Sequence, residues 1–145
     1  MNFEKFDEIV DLQGLKQDIL NNTGYKKVPY GTYEVEVVKM ELTKSKAGNP
    51  MVSIWFKIVR GEYSDQLLFL NQVITKGFQI GIVNELLNNM HTSQNVEFMS
   101  FTQYSKLLED IFEEINGKFE FALDYNERKG YDIFRIIEIF QCENI

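Results

Sequence analysis

TYEVEVVKMELT (Thr32–Thr43) and PMVSIWFKIV (Pro50–Val59) decide the fold of this chain. In the first, Tyr33, Val35 and Val37 are apolar on odd positions, and then Val38, Met40 and Leu42 on even ones. A strand has a side-chain period of two, so a change of face partway along it means an extra residue: a β-bulge or a sharp coil. Such a bend lets one strand serve two parts of a sheet, as the first strand of a small barrel must. In the second stretch Val52, Ile54, Phe56 and Ile58 form one continuous apolar face, and the other face carries Ser53, Trp55 and Lys57. A face that shows an aromatic ring and a cation to solvent can stack and neutralise a nucleic-acid strand.

Working outward, Thr43–Pro50 (TKSKAGNP) joins the two strands as a hairpin loop, with Gly48 and Asn49 as turn residues and Lys44 and Lys46 exposed. Pro29 and Gly31 deliver the chain into the first strand. A turn at Gly61–Asp65 leads to a third strand over about residues 66–74, with Leu68 and Leu70 inward and Phe69 and Asn71 outward. Two helical stretches follow. Phe78, Ile82 and Leu86 with Val83, Leu87 and Met90 form one apolar stripe, and Tyr104, Leu107, Leu108, Ile111, Phe112 and Ile115 recur at helical spacing before Gly117. Phe119, Phe121, Leu123 and Tyr125 then alternate into a turn at ERKG, and Tyr131–Phe140 returns. Ahead of all this, residues 1–27 read as an N-terminal arm rich in Phe, Ile and Leu, its partial helical period interrupted by Gly14, with a short helix from Gly14 to Asn22.

The order β-β-β-α-β-β over residues 28–145 predicts a mainly β protein with α: a five-stranded OB-fold-like barrel, a helical insertion between strands 3 and 4, and a helical arm in front. In an OB-fold the ligand crosses strands 2 and 3 and is gripped by the loops joining strands 1 to 2 and 4 to 5. Here those loops are TKSKAGNP and NERKG, both basic in an acidic protein. The nucleic-acid-binding residues expected on this basis are Lys44, Lys46, Trp55, Lys57, Phe69, Asn71, Arg128 and Lys129. Trp55 has two readings, exposed in a binding groove or covered by the arm or a helix. Glu34, Glu36 and Glu41 on the outer face of the first strand argue the other way, since they repel phosphate.

The net charge of −7 is distributed by region: −3 over residues 1–25, +4 over 26–60, −6 over 61–117 and −2 over 118–145. The bent strand and Trp55 thus lie in the positive segment. With 145 residues, 44% hydrophobic and 14% aromatic, the chain has ample material for a core. No apolar run approaches the roughly 20 residues that span a bilayer, which excludes membrane insertion by a helix. One cysteine, Cys142, rules out an internal disulfide, and no basic start followed by an apolar run suggests a signal peptide; the expected location is the cytoplasm of a bacterial host cell.

Catalysis finds little support. With one histidine, His91, and one cysteine, a zinc site of nitrogen and sulfur ligands has no ligand set within one chain. Glu109, Asp110, Glu113 and Glu114 fall on the outer face of an amphipathic helix, and no phosphate-loop, dinucleotide or nucleophile-elbow motif occurs. The expectation is a non-enzyme with no cofactor and no metal.

The run VPYGTYEVEVVKMELTKSKAGNPMVSIWFKIVRGEYSDQLLF resembles a family of bacteriophage proteins classed as a domain of unknown function and encoded among phage replication and recombination genes. The elements that carry the likeness are Pro29, Gly31, Tyr33, Lys44–Asn49, Gly61, Tyr63, Leu68 and Phe69, and it continues more weakly to the INGKFEF strand. The resemblance implies an OB-fold, single-stranded DNA-binding protein of a phage or prophage. The contact residues named above rest on the fold argument instead. Expected partners are single-stranded DNA, phage recombination or replication proteins, and further copies of the chain through the arm or the last strand, which reads as apolar on both faces through Phe134, Ile136, Ile137 and Phe140. The rival reading is an acidic phage protein that binds and inhibits a host protein such as a nuclease or defence effector, presenting the carboxylates of LLEDIFEEI.

Overall fold

The computed structural model describes Gly14 and residues 27–142. Apart from Gly14, which is helical, and Lys27, the expected arm and its helix lie outside the described residues. The rest is mainly β with two helices: β1 (Gly31–Lys44), β2 (Pro50–Ile58), β3 (Leu67–Val73), α1 (Gly77–Asn88), α2 (Phe101–Ile115), β4 (Phe119–Arg128) and β5 (Tyr131–Gln141). The five strands form one antiparallel sheet in the order β3-β2-β1-β4-β5.

β1 bends where its sequence changes face. Val37 pairs with Phe56 and Lys39 with Trp55, so Val38 is the extra residue and points outward. Val35, Val37 and Met40 on either side of it are buried. The bend divides the strand between two partners: its first five residues pair with β4, and the stretch from Val35 onward pairs with β2. β5 uses the same device. Leu123 pairs with Ile136 and Ala122 with Glu138, which leaves Ile137 as the bulged residue, 48% exposed. The strand that read as apolar on both faces is therefore one apolar face shifted by a bulge, from Phe134 and Ile136 to Ile139.

The expected closed barrel is not formed. The sheet is open, and its edge strands β3 and β5 do not pair among the described residues. Closure requires the two edges to meet, and here β3 is only seven residues long, while α1, which starts four residues after β3 ends, lies against both β3 and β5. The sheet is nevertheless strongly curled. β2 and β5 are three places apart in it, about 14 Å in a flat sheet, yet Phe56 and Phe134 stack with ring centroids 5.8 Å apart.

The concave side holds the core. Val52, Ile54, Phe56 and Ile58 of β2 are fully buried there with Val35, Leu68, Leu70, Phe121 and Leu123. α2 packs against β1 through Tyr104, Leu107, Leu108, Ile111 and Ile115. It begins with a capping box: Ser100 Oγ accepts from the Gln103 N–H at 3.1 Å, and Gln103 Oε1 accepts from the N–H groups of Met99 and Ser100. Burial holds the Tyr104 phenol in its neutral form well above the usual range, and its O–H donates to Asn84 Oδ1 of α1 at 2.5 Å.

α1 departs from the stripe expected of it. Val83, Leu86, Leu87 and Met90 are buried, but Phe78 is 66% and Ile82 50% exposed. At about 100° per residue, the four buried positions lie about 80° to 180° around the helix from Phe78, and Ile82 lies at about 40°. Six apolar positions make a band wider than the surface available to cover them, and its leading edge stays in solvent.

Candidate nucleic-acid interface

The convex side of β1–β3 carries four of the expected contact residues. Trp55 pairs with Lys39 and Phe69, Ser53 with Glu41 and Asn71, and Lys57 with Glu36 and Leu67, so all of these share one face. Trp55 falls between its two readings: it is half-buried. The Lys39 ammonium sits 4.4 Å from its ring centroid, Phe69 meets it edge-on at 5.0 Å, and its indole Nε1 is shut away from solvent with no acceptor among the described residues. Phe69 is half-buried and Asn71 exposed; Ser53, fully buried, donates to Asn71 Oδ1 at 2.9 Å.

The cations on this face are all paired, and carboxylates outnumber them. Lys39 Nζ lies 3.2 Å from Glu41, and Lys57 Nζ lies 3.5 Å from Asp65 and 3.9 Å from Glu36. Arg60 bonds Glu34 and, at 3.0 Å, Glu120. The three β1 carboxylates that would repel phosphate are thus each held by a cation. Such half-exposed pairs add little stability, but each removes a positive charge from what a ligand would meet.

The two loops are different. Lys44 and Lys46 are exposed and make no ion pair among the described residues. Their loop is held by its own backbone, with the Ser45 N–H donating to the Asn49 carbonyl at 2.7 Å and the Gly48 N–H to the Ser45 carbonyl at 2.9 Å; Gly48 takes the positive φ of 85° that favours glycine. Arg128 and Lys129 are likewise exposed and unpaired. The β4–β5 turn is only Lys129 and Gly130, both at positive φ (54° and 82°), the two-residue turn whose twist suits a hairpin. The sheet does not bring the loops together. Tyr125 pairs with Gly31 at the start of β1 and Pro50 with Lys44 at its end, so about 40 Å of β1 and about 10 Å more of β4, from Tyr125 to Arg128, separate them before the curl shortens the path.

Three residues near these positions escaped sequence reasoning: Lys39, Tyr131 and Arg135. Lys39 was hidden by the bulge, which carries it onto the Trp55 face. Tyr131 and Arg135 were legible by alternation from the ERKG turn, which puts 131, 133 and 135 on one face, and the apolar character of the strand drew attention away from them. On the concave side of the same hairpin, Tyr30, Tyr125, Phe134 and Phe56 run as a chain of ring contacts into the core. Burial pushes the Tyr125 phenol up to about 12, and a hydrogen bond to Asp132 Oδ1 raises that of Tyr30.

Elsewhere, His91 is exposed at a helix exit, and the Cys142 thiol is pushed up by burial and by Glu120 and Glu36. Among the described residues no three His, Cys, Asp or Glu side chains stand close enough to hold a metal ion, and no helix is long and apolar enough to cross a membrane. No curated protein matches the sequence. A family model described as "Protein of unknown function (DUF669)" matches residues 16–114, from the arm through nearly all of α2. Since that match covers more than half of the 145 residues, the chain belongs to the DUF669 family.

Proposed function

We propose that this protein binds single-stranded DNA, tolerant of sequence and without catalysing a reaction, in phage DNA replication or recombination. A curled sheet in the order β3-β2-β1-β4-β5 with helices between β3 and β4 reads as an OB-like fold left open along one seam. In that fold the strand 2 and 3 face and the two named loops take oligonucleotides.

The observation that carries the reading is the set of four cations, Lys44, Lys46, Arg128 and Lys129, exposed and free of ion pairs among the described residues, at two hairpin tips of a chain with net charge −7. Phosphates would be neutralised there, and bases would stack on Phe69 and Trp55 between the tips. Stacking on the covered face of Trp55 would displace the Lys39 ammonium, which adds little to phosphate binding because Glu41 pairs with it. Lys57 contributes less, because two carboxylates already hold it. A mobility-shift assay tests the reading: oligo-dT should be retarded at low salt, and no retardation of oligo-dT at any protein concentration overturns it.

One observation favours the rival reading. Glu109 and Glu113 are exposed on α2, within the segment of charge −6, and form an acidic face suited to a basic protein surface. That reading predicts retardation of neither single-stranded nor duplex DNA.

A further inference from the structure

Apart from Arg128, the convex face of the β4–β5 hairpin has no role in the assignment above. The pairs Arg128 with Tyr131, Asn126 with Ile133 and Asp124 with Arg135 place these six side chains on one face, with Tyr125 and Phe134 on the other. Successive pairs on a face stand about 7 Å apart along the strands, so the stripe is about 13 Å long. It is open to solvent: Tyr131 is 76% and Ile133 38% exposed, and Arg128, Asn126 and Arg135 are exposed as well. No ring or cation lies against Tyr131 among the described residues.

The charges on this stripe are free, unlike those beside Trp55. The chain has three arginines; Arg60 is bound to two carboxylates, and neither Arg128 nor Arg135 has an ion pair among the described residues. The acids of the hairpin tip are turned away and occupied. Asp132 and Glu127 pair with each other on the concave face, where Asp132 accepts from the Tyr30 O–H at 2.8 Å and Glu127 from the Gly130 N–H at 2.7 Å. Asp124, half-buried, is the one carboxylate on the stripe, and Glu138 lies beyond the bulge. A guanidinium offers paired donors to a phosphate, and a ring with open faces accepts a base of any identity.

We propose that this face is a second contact surface for single-stranded DNA, a base stacking on Tyr131 while Arg128 and Arg135 take the flanking phosphates. The inference rests on the single-strand reading and extends the path of the strand past the β4–β5 turn onto the outside of the hairpin.

Fluorescence anisotropy with labelled oligo-dT, long enough to pass the turn, tests it on the full chain. Tyr131→Ala should weaken binding about tenfold, the loss of one stacked base, and Tyr131→Phe should restore it. Arg135→Gln should lower the slope of log K against log salt by about 0.7, the share of one phosphate contact on a single strand. Thermal melts of the variants should match wild type, as both side chains are exposed. Wild-type affinity and slope in these variants would overturn the second surface and leave the single-strand reading standing. A change in sedimentation mass with unchanged DNA affinity would also overturn it, assigning the face to self-association. No binding by wild type overturns both readings.

Discussion

The convex faces of β1–β3 and of β4–β5 are built from similar residues, aromatic rings and cations on alternating strand positions, yet they differ in what those residues already hold. On β1–β3, Lys39 covers Trp55 and pairs with Glu41, Lys57 is shared by Glu36 and Asp65, and Ser53 is fully buried. On β4–β5, Tyr131, Arg128 and Arg135 are exposed, and neither arginine has an ion pair among the described residues. Counting cations on a strand is therefore a poor guide to a polyanion site. The useful quantity is how many are left unpaired, and that depends on which carboxylates the register sets beside them.

The comparison breaks most visibly in stability. Trp55→Ala should cost about 2 to 3 kcal/mol by urea denaturation, less than the 3 to 5 expected for a fully buried aromatic, because the ring packs on Phe69 and under Lys39. Tyr131→Ala should stay within about 0.5 kcal/mol of wild type. Equal losses at the two positions would erase the distinction between a packed face and an open one.

In DNA binding the distinction appears in the salt dependence. Replacing Lys44 and Lys46 by Gln should lower the log-log slope by about 1.4, whereas replacing Lys39 and Lys57 should lower it by less than half of that, because their charge is already met by carboxylates. Matching slopes for the two double variants, measured by anisotropy across a salt series, would show that the ion pairs open on binding. The smallest effect sharpens the same point. Glu36→Gln removes one of the two carboxylates on Lys57 and should tighten oligo-dT binding about twofold at low salt, with the gain vanishing as screening rises.

Much of this architecture is readable from the sequence because strands and amphipathic helices write their burial as a period. The bulge in β1 shows in the passage from Val37 to Met40, the buried face of β2 in Val52, Ile54, Phe56 and Ile58, and α2 in its stripe and its S-x-x-Q cap. The second bulge was equally present at Ile137, but two apolar faces in succession look like one strand buried on both sides until the register is known. Closure was not legible, since it depends on whether two edge strands meet across the sheet, and here they do not pair and α1 lies against both. Nor was the state of the cations. Lys57 and Arg128 look alike in sequence, and only the cross-strand neighbours Glu36 and Tyr131 separate a neutralised charge from a free one.

The central claim is that the free cations at the hairpin tips make a single-strand binding site on an acidic protein. A titration of labelled oligo-dT with the wild-type chain across a salt series tests it most directly. Contacts by Lys44, Lys46, Arg128 and Lys129 predict binding at low salt that weakens with a log-log slope of about −3. No anisotropy change at the lowest salt, or binding with a slope near zero, would contradict it.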